Sequence, residues 1–201
     1  SPNPPLRKPR PSPGGGVWRA GEGLRVRRKA SLFRAADGFA TGRQSEYPHP
    51  TMNTHPALGY IRANWSRSIN RDAPGTGFGG VDLPCPYSSP CIKGEGNFTF
   101  FFYWDTYFTN LGLLCHGHAG TARDNIRNML WLIARYGFMP NHVGITNRSQ
   151  PPFLARMVHD YLAATGDEAF LAEAAPALRQ EYHFWATARH TPTGLQRHGH
   201  H

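Results

Sequence analysis

Residues 119–136 read AGTARDNIRNMLWLIARY, and Gly137 follows them. Within that stretch Ile126, Met129, Leu130, Ile133 and Ala134 fall at i, i+3, i+4, i+7 and i+8, one stripe of a 3.6-residue period. The pattern predicts a helix over 119–136 with this stripe on a core. Gly137 supplies the stop, because glycine tolerates the left-handed conformation that ends many helices. The same logic continues downstream. Leu154, Met157 or Val158, and Tyr161 form the stripe of a second helix that ends before Gly166. Pro151 and Pro152 fit its first turn, where a missing N–H costs nothing. Asp167 and Glu168 open a third segment, acids at the positive end of its dipole. Pro176 is expected to interrupt that segment, leaving helices over 168–174 and 176–188.

Upstream, Ala57 to Trp65 reads as a short helix. Residues 72–97 are loop-like, punctuated by Pro74, Gly75, Gly77, Pro84, Pro86, Pro90, Gly94 and Gly96. No alternating strand pattern of useful length is present. The fold class expected is therefore all-α, built as paired helices joined by loops.

The formal net charge of +9 is unevenly placed. Residues 1–50 carry Arg7, Lys8, Arg10, Arg19, Arg25, Arg27, Arg28, Lys29, Arg34 and Arg43 against Glu22, Asp37 and Glu46, leaving the rest of the chain close to neutral. With Pro2, Pro4, Pro5, Pro9, Pro11, Pro13 and three consecutive glycines at 14–16, this stretch cannot bury enough apolar surface to offset chain entropy. Residues 1–55 are read as a disordered basic tail and residues 56–201 as the folded part. Because the basicity sits in the tail, no nucleic-acid partner is expected. Arg27-Arg28-Lys29 is not followed by the apolar run of a secretory signal, and no stretch approaches the roughly 18 apolar residues of a membrane span. Cys85, Cys91 and Cys115 form neither a disulfide framework nor a CxxC site, and are read as reduced thiols of a cytoplasmic protein. The histidines, His116 and His118 included, lack the carboxylate or thiolate company of a ligand set, so no metal and no cofactor is expected.

Three loop or helix-edge clusters carry the unusual residues. Phe98 to Tyr107 holds an aromatic run ending in Tyr103-Trp104-Asp105. It reads either as core or as a sugar platform, since an indole stacks on the C–H face of a sugar while a neighbouring carboxylate accepts from two hydroxyls. Gly137-Phe138-Met139-Pro140-Asn141 ends a helix, and its Asn is an ordinary turn residue by itself. Asn147-Arg148-Ser149-Gln150-Pro151-Pro152 opens a helix, with Asn147 or Ser149 available as a cap.

Together, the order YWDxY, GFMPN and NRSQPP resembles the trehalases of glycoside hydrolase family 37, and equally the family 63 enzymes that hydrolyse mannosylglycerate or glucosylglycerate. The resemblance covers roughly residues 57–199. It implies a partial (α/α)6 barrel of six helical hairpins, and inverting chemistry by two carboxylates about 6.5–9.5 Å apart. By similarity, Trp104, Asp105, Asn141, Arg148, Ser149 and Gln150 match positions that hold the sugar, and none is the acid or the base. Those two are expected C-terminal of His201, making this chain an N-terminal piece that is inactive alone. Asp160, Asp167, Glu168, Glu173 and Glu181 lie on predicted helices, where solvated or capping roles are the default.

Two departures bear on substrate. Asn97 stands where trehalases carry an Arg ahead of the YWD motif, and the stretch His142 to Thr146 is short. Both weaken trehalose as the substrate. Asp105-Thr106-Tyr107-Phe108 followed by Asn110-Leu111-Gly112-Leu113 looks closer to the hexosylglycerate hydrolases, whose substrate carboxylate Arg148 would meet, with α,α-trehalose as the alternative. A sugar-binding helical domain without catalytic carboxylates is the third reading. A small sugar is the only partner expected, and the oligomeric state is open.

Overall fold

The computed structural model describes residues 55–92 and 94–198. The expected tail, except His55, lies outside the described residues. The element order is α1 (Pro56–Asn64), a 3-10 turn at Trp65–Ser68, β1 (Ile69–Asn70), a 3-10 turn at Phe78–Gly80, β2 (Tyr87–Ser88), α2 (Tyr103–Cys115), α3 (Ala119–Tyr136), α4 (Leu154–Thr165) and α5 (Glu168–Thr187). The two short strands pair antiparallel, Ile69 opposite Ser88 and Asn70 opposite Tyr87. They clip the ends of the 71–86 loop together. Helices dominate, and the all-α reading holds.

α2 packs against α3 and α4, and α5 packs against α3 and α4, so two helical hairpins share one core. This arrangement is consistent with a partial (α/α)6 barrel. Ile126, Met129, Leu132 and Ile133 of α3 are fully buried there with Leu154 and Met157 of α4 and Phe170 of α5. Each such side chain contributes roughly 1.5–3 kcal/mol of burial. Gly137 ends α3 at φ 85°, as expected.

Three expectations are corrected. The core stripe of α3 is not the apolar stripe alone: Leu130 is half-buried and Ala134 exposed, whereas Asn125 and Asn128 are buried. Both asparagines face the 85–88 loop and bond it. Pro151 and Pro152 precede α4 rather than entering its first turn, and neither Asn147 nor Ser149 caps it, since Phe153 holds the cap position. Pro176 does not split α5, which runs unbroken through it. The proline and Ala172, whose carbonyl it leaves without a helical N–H, are both exposed. That face of the helix is open to solvent, while Phe170, Ala174 and Ala177 hold the opposite face in the core. Asp167 does open α5, accepting from the Phe170 N–H at 3.3 Å.

Candidate functional site

Phe98 to Phe102 lead into α2 with Phe102 extended, and the first turn of α2 carries Trp104 and Asp105. The two loops that hold the other motif residues are laced to this point through the backbone. The Tyr103 N–H donates to the Asn141 carbonyl at 2.9 Å, and the Asn141 N–H donates to the Arg148 carbonyl at 3.1 Å. The Val143 N–H donates to the Phe101 carbonyl at 3.3 Å. Three segments scattered over some fifty residues of sequence are thereby brought side by side.

A cavity of about 320 Å³ lies at the junction, lined by Pro90, Phe98, Phe102, Trp104, Asp105, Asn141 and Gln150. That is the low end of ligand-pocket volumes, about 300–1,000 Å³, and suits one small ring. Trp104 is 40% exposed, so its indole is offered rather than packed away. Among the described residues, Asp105 is the only acid in the lining. Of the six residues matched by resemblance, Trp104, Asp105, Asn141 and Gln150 line this cavity. Ser149 does not: its buried hydroxyl donates to the His198 carbonyl at 3.0 Å, tying the loop to the segment after α5. Arg148 does not line the cavity either: its carbonyl accepts from the Asn141 N–H, and its Nε donates to the Asn147 side chain at 3.2 Å.

The wall behind Phe102 is aromatic. His142, 6% exposed, lies among Phe78, Phe100 and Phe102, with ring centroids 5.4, 6.1 and 5.0 Å away. Burial, and then the Arg148 charge, lower its pKa, so the ring stays neutral at physiological pH. Its Nδ1 is buried without a hydrogen-bond partner. The fit between these loops demands glycine: a Cβ on Gly144 would come within 2.6 Å of the Phe78 ring.

Several of these residues escape sequence reasoning. Phe98 and Phe102 belong to the aromatic run but carry no polar group to flag them. Pro90 lies far upstream in an unpatterned loop, and only the folded loop brings it to the cavity. Two carboxylates read as solvated or capping are buried instead. Asp160, 1% exposed, meets Arg156 Nε at 2.9 Å and His159 Nδ1 at 3.0 Å. Glu181, 4% exposed, accepts from the Tyr103 hydroxyl. Burial pushes Glu181 up to about 7 against the opposing pull of that hydrogen bond.

Among the described residues no group of three or more His, Cys, Asp or Glu is placed to hold a metal ion. Among them, too, no helix is long and apolar enough to cross a membrane.

Comparison with known proteins bears on the same segments. The family model described as Trehalase matches residues 62–201, well over half of the chain. A probable trehalase of Oryza sativa subsp. japonica is 41% identical over 100 residues, which are 49% of this chain and 18% of that protein. The trehalase of Oryctolagus cuniculus is 43% identical over 102 residues, 50% of this chain and 18% of that protein. The periplasmic trehalase of Pseudomonas aeruginosa is 41% identical over 107 residues, 52% of this chain and 19% of that protein. Each match spans less than a fifth of the relative's length. With the family model covering most of the described helices and the cavity's motif loops, the chain belongs to the trehalase family of glycoside hydrolases.

Proposed function

We propose that this chain forms the sugar-holding part of an inverting glycosidase pocket, with α,α-trehalose as the substrate. The observation that carries this is the convergence of Trp104, Asp105, Asn141 and Gln150 on one cavity. The indole offers an apolar face to a pyranose ring. The carboxylate accepts from adjacent hydroxyls, and the two amides donate and accept around the ring edge.

Trehalose replaces the hexosylglycerates as the preferred reading, because the relatives reported above are named trehalases. Asn97 and the short 142–146 stretch still distinguish this chain from the trehalase pattern, and Arg148 holds the Asn141 loop through its backbone carbonyl. Ser149 acts indirectly, holding its loop against His198.

Inverting hydrolysis needs a second carboxylate across the scissile bond from the first. Among the described residues Asp105 is the only acid in the lining, and its place beside the indole suits hydroxyl binding. The acid and base are accordingly assigned to polypeptide C-terminal of His201. The free thiols of Cys85, Cys91 and Cys115 support a cytoplasmic setting.

Reducing-sugar release from trehalose, glucosylglycerate and mannosylglycerate tests this reading. The chain is assayed alone, and also with residues 62–201 replacing the matching segment of the Pseudomonas aeruginosa relative. The expected result is no turnover by the chain alone and trehalose hydrolysis by the chimera. A chimera that prefers a hexosylglycerate restores the other substrate, and turnover by the chain alone overturns the assignment of the acid and base.

A further inference from the structure

Tyr103, the residue immediately before Trp104, is fully buried and is not one of the residues lining the cavity. That hydroxyl stands where three helices meet. It donates to the Glu181 carboxylate of α5 and accepts from the Leu154 N–H, the first residue of α4, at 3.0 Å. The Tyr103 backbone N–H meanwhile holds Asn141. Tyr103 thus fixes the turn carrying Trp104 and Asp105 to the Asn141 loop through its backbone and to the start of α4 through its hydroxyl.

Glu181 is the unusual member of this junction. A buried carboxylate is costly unless it is paired and hydrogen-bonded, and here a single neutral phenol serves it. The charged groups of the elements packed on α5 are engaged elsewhere. On α3, Arg123 and Arg127 meet Glu173, Arg123 also meets Asp167, and Arg135 lies over Trp131 and Tyr136. Asp124 acts on Cys85. On α4, Arg156 and His159 meet Asp160. On α2, Tyr103 itself is the titratable group that faces Glu181, and burial followed by the Glu181 charge holds its own pKa well above the usual phenol value.

We propose that Glu181 is a positioning residue for the sugar pocket: through the Tyr103 hydroxyl it sets the first turn of α2 against the start of α4, and gain of a proton resets that junction. An ionised Glu181 can only accept, so the phenol must donate to it. A protonated Glu181 can donate in turn. When it does, the Tyr103 oxygen receives two donors, Glu181 and Leu154, and its own hydrogen turns away from the carboxyl. Burial brings this exchange near neutrality, where Glu181 titrates at about 7. The proposal rests on the sugar-pocket reading only for its effect on binding; the coupling itself is readable without a sugar.

The test follows two resonances of the 201-residue chain, the Glu181 side-chain carboxyl carbon and the Trp104 indole N–H, from about pH 5 to about pH 9. The expected result is one shared midpoint near neutral pH. The Trp104 step is lost in Glu181→Gln, and in Tyr103→Phe the indole no longer follows the carboxyl. Trehalose affinity in the wild type changes by about threefold to tenfold across the same interval, and is flat with pH in Glu181→Gln. An indole that stays fixed while Glu181 titrates overturns the proposal, as does a step that survives in Glu181→Gln. Should the Gln variant not fold, the wild-type comparison of the two midpoints decides alone. A shared step without any response to trehalose removes the sugar reading and leaves the coupling standing.

Discussion

Asn125 of α3 and Ser88 of β2 bond each other twice, far from any surface. The Asn125 carbonyl oxygen accepts from the Ser88 N–H at 2.9 Å, and its amide nitrogen donates to the Ser88 hydroxyl at 2.8 Å. The same amide donates to the Asn110 side chain of α2 at 2.8 Å. One turn along α3, Asn128 repeats the arrangement with the backbone of Cys85 and Pro86. These asparagines do for the 85–90 loop what a sheet neighbour would do, and so hold Pro90 at the cavity.

Asn125→Ala should therefore destabilise the protein by about 2–4 kcal/mol, since each buried group left unpaired costs about 1–3 kcal/mol. Urea unfolding measures this. A change below about 0.5 kcal/mol would mean that the loop is not held from α3.

Stability should fall as pH rises through the Glu181 transition. Its carboxyl is raised from an ordinary 4.5 to about 7, so the native state holds the proton more tightly than the unfolded chain. The contribution is fully present below about pH 4.5 and is lost as pH passes about 7, on the order of 3 kcal/mol in all. Thermal unfolding of wild type and Glu181→Gln across that window reads the difference. A wild type that gains stability relative to Glu181→Gln over the window reverses the sign and refutes the account of this carboxyl.

Pro176→Ala should stabilise the protein by about 1–3 kcal/mol. It restores the N–H that α5 lacks toward Ala172, less the entropy a proline removes from the unfolded chain. Denaturant titration checks this, and a loss of stability would show that the ring makes contacts that an alanine cannot replace.

Trp104→Ala should leave stability within about 1 kcal/mol, because the indole is partly exposed and meets Phe108 edge-on at 6.1 Å. Sugar binding should fall by at least tenfold in the same variant, as followed by calorimetry. Retained affinity would remove the indole from the pocket.

Much of this was legible beforehand because apolar periodicity reports which face of a helix meets the core. It located α3 end to end, found Gly137 and Gly166 as stops, and opened α5 at Asp167. It failed at Pro176, where a local rule yielded to packing on the opposite helix face. It failed again at Asn125, Asn128, Asp160 and Glu181, because a polar residue on a helix looks the same whether its partner is water or a buried loop. The site divides along the same line. Trp104, Asp105, Asn141 and Gln150 belong to short motifs that can be read in order along the chain. Pro90 reaches the cavity, and Glu181 reaches Tyr103, only through the folding of segments that no motif links, and no spacing records those.

A sugar held in the cavity of Trp104, Asp105, Asn141 and Gln150 would lie against the indole. Titrating the chain with α,α-trehalose while following the Trp104 indole resonance tests it most directly, with Asp105→Asn as the partner measurement. A saturable shift, abolished in Asp105→Asn while that variant unfolds at the wild-type denaturant concentration, is the result predicted. No saturable shift, or one that Asp105→Asn leaves unchanged, contradicts the claim.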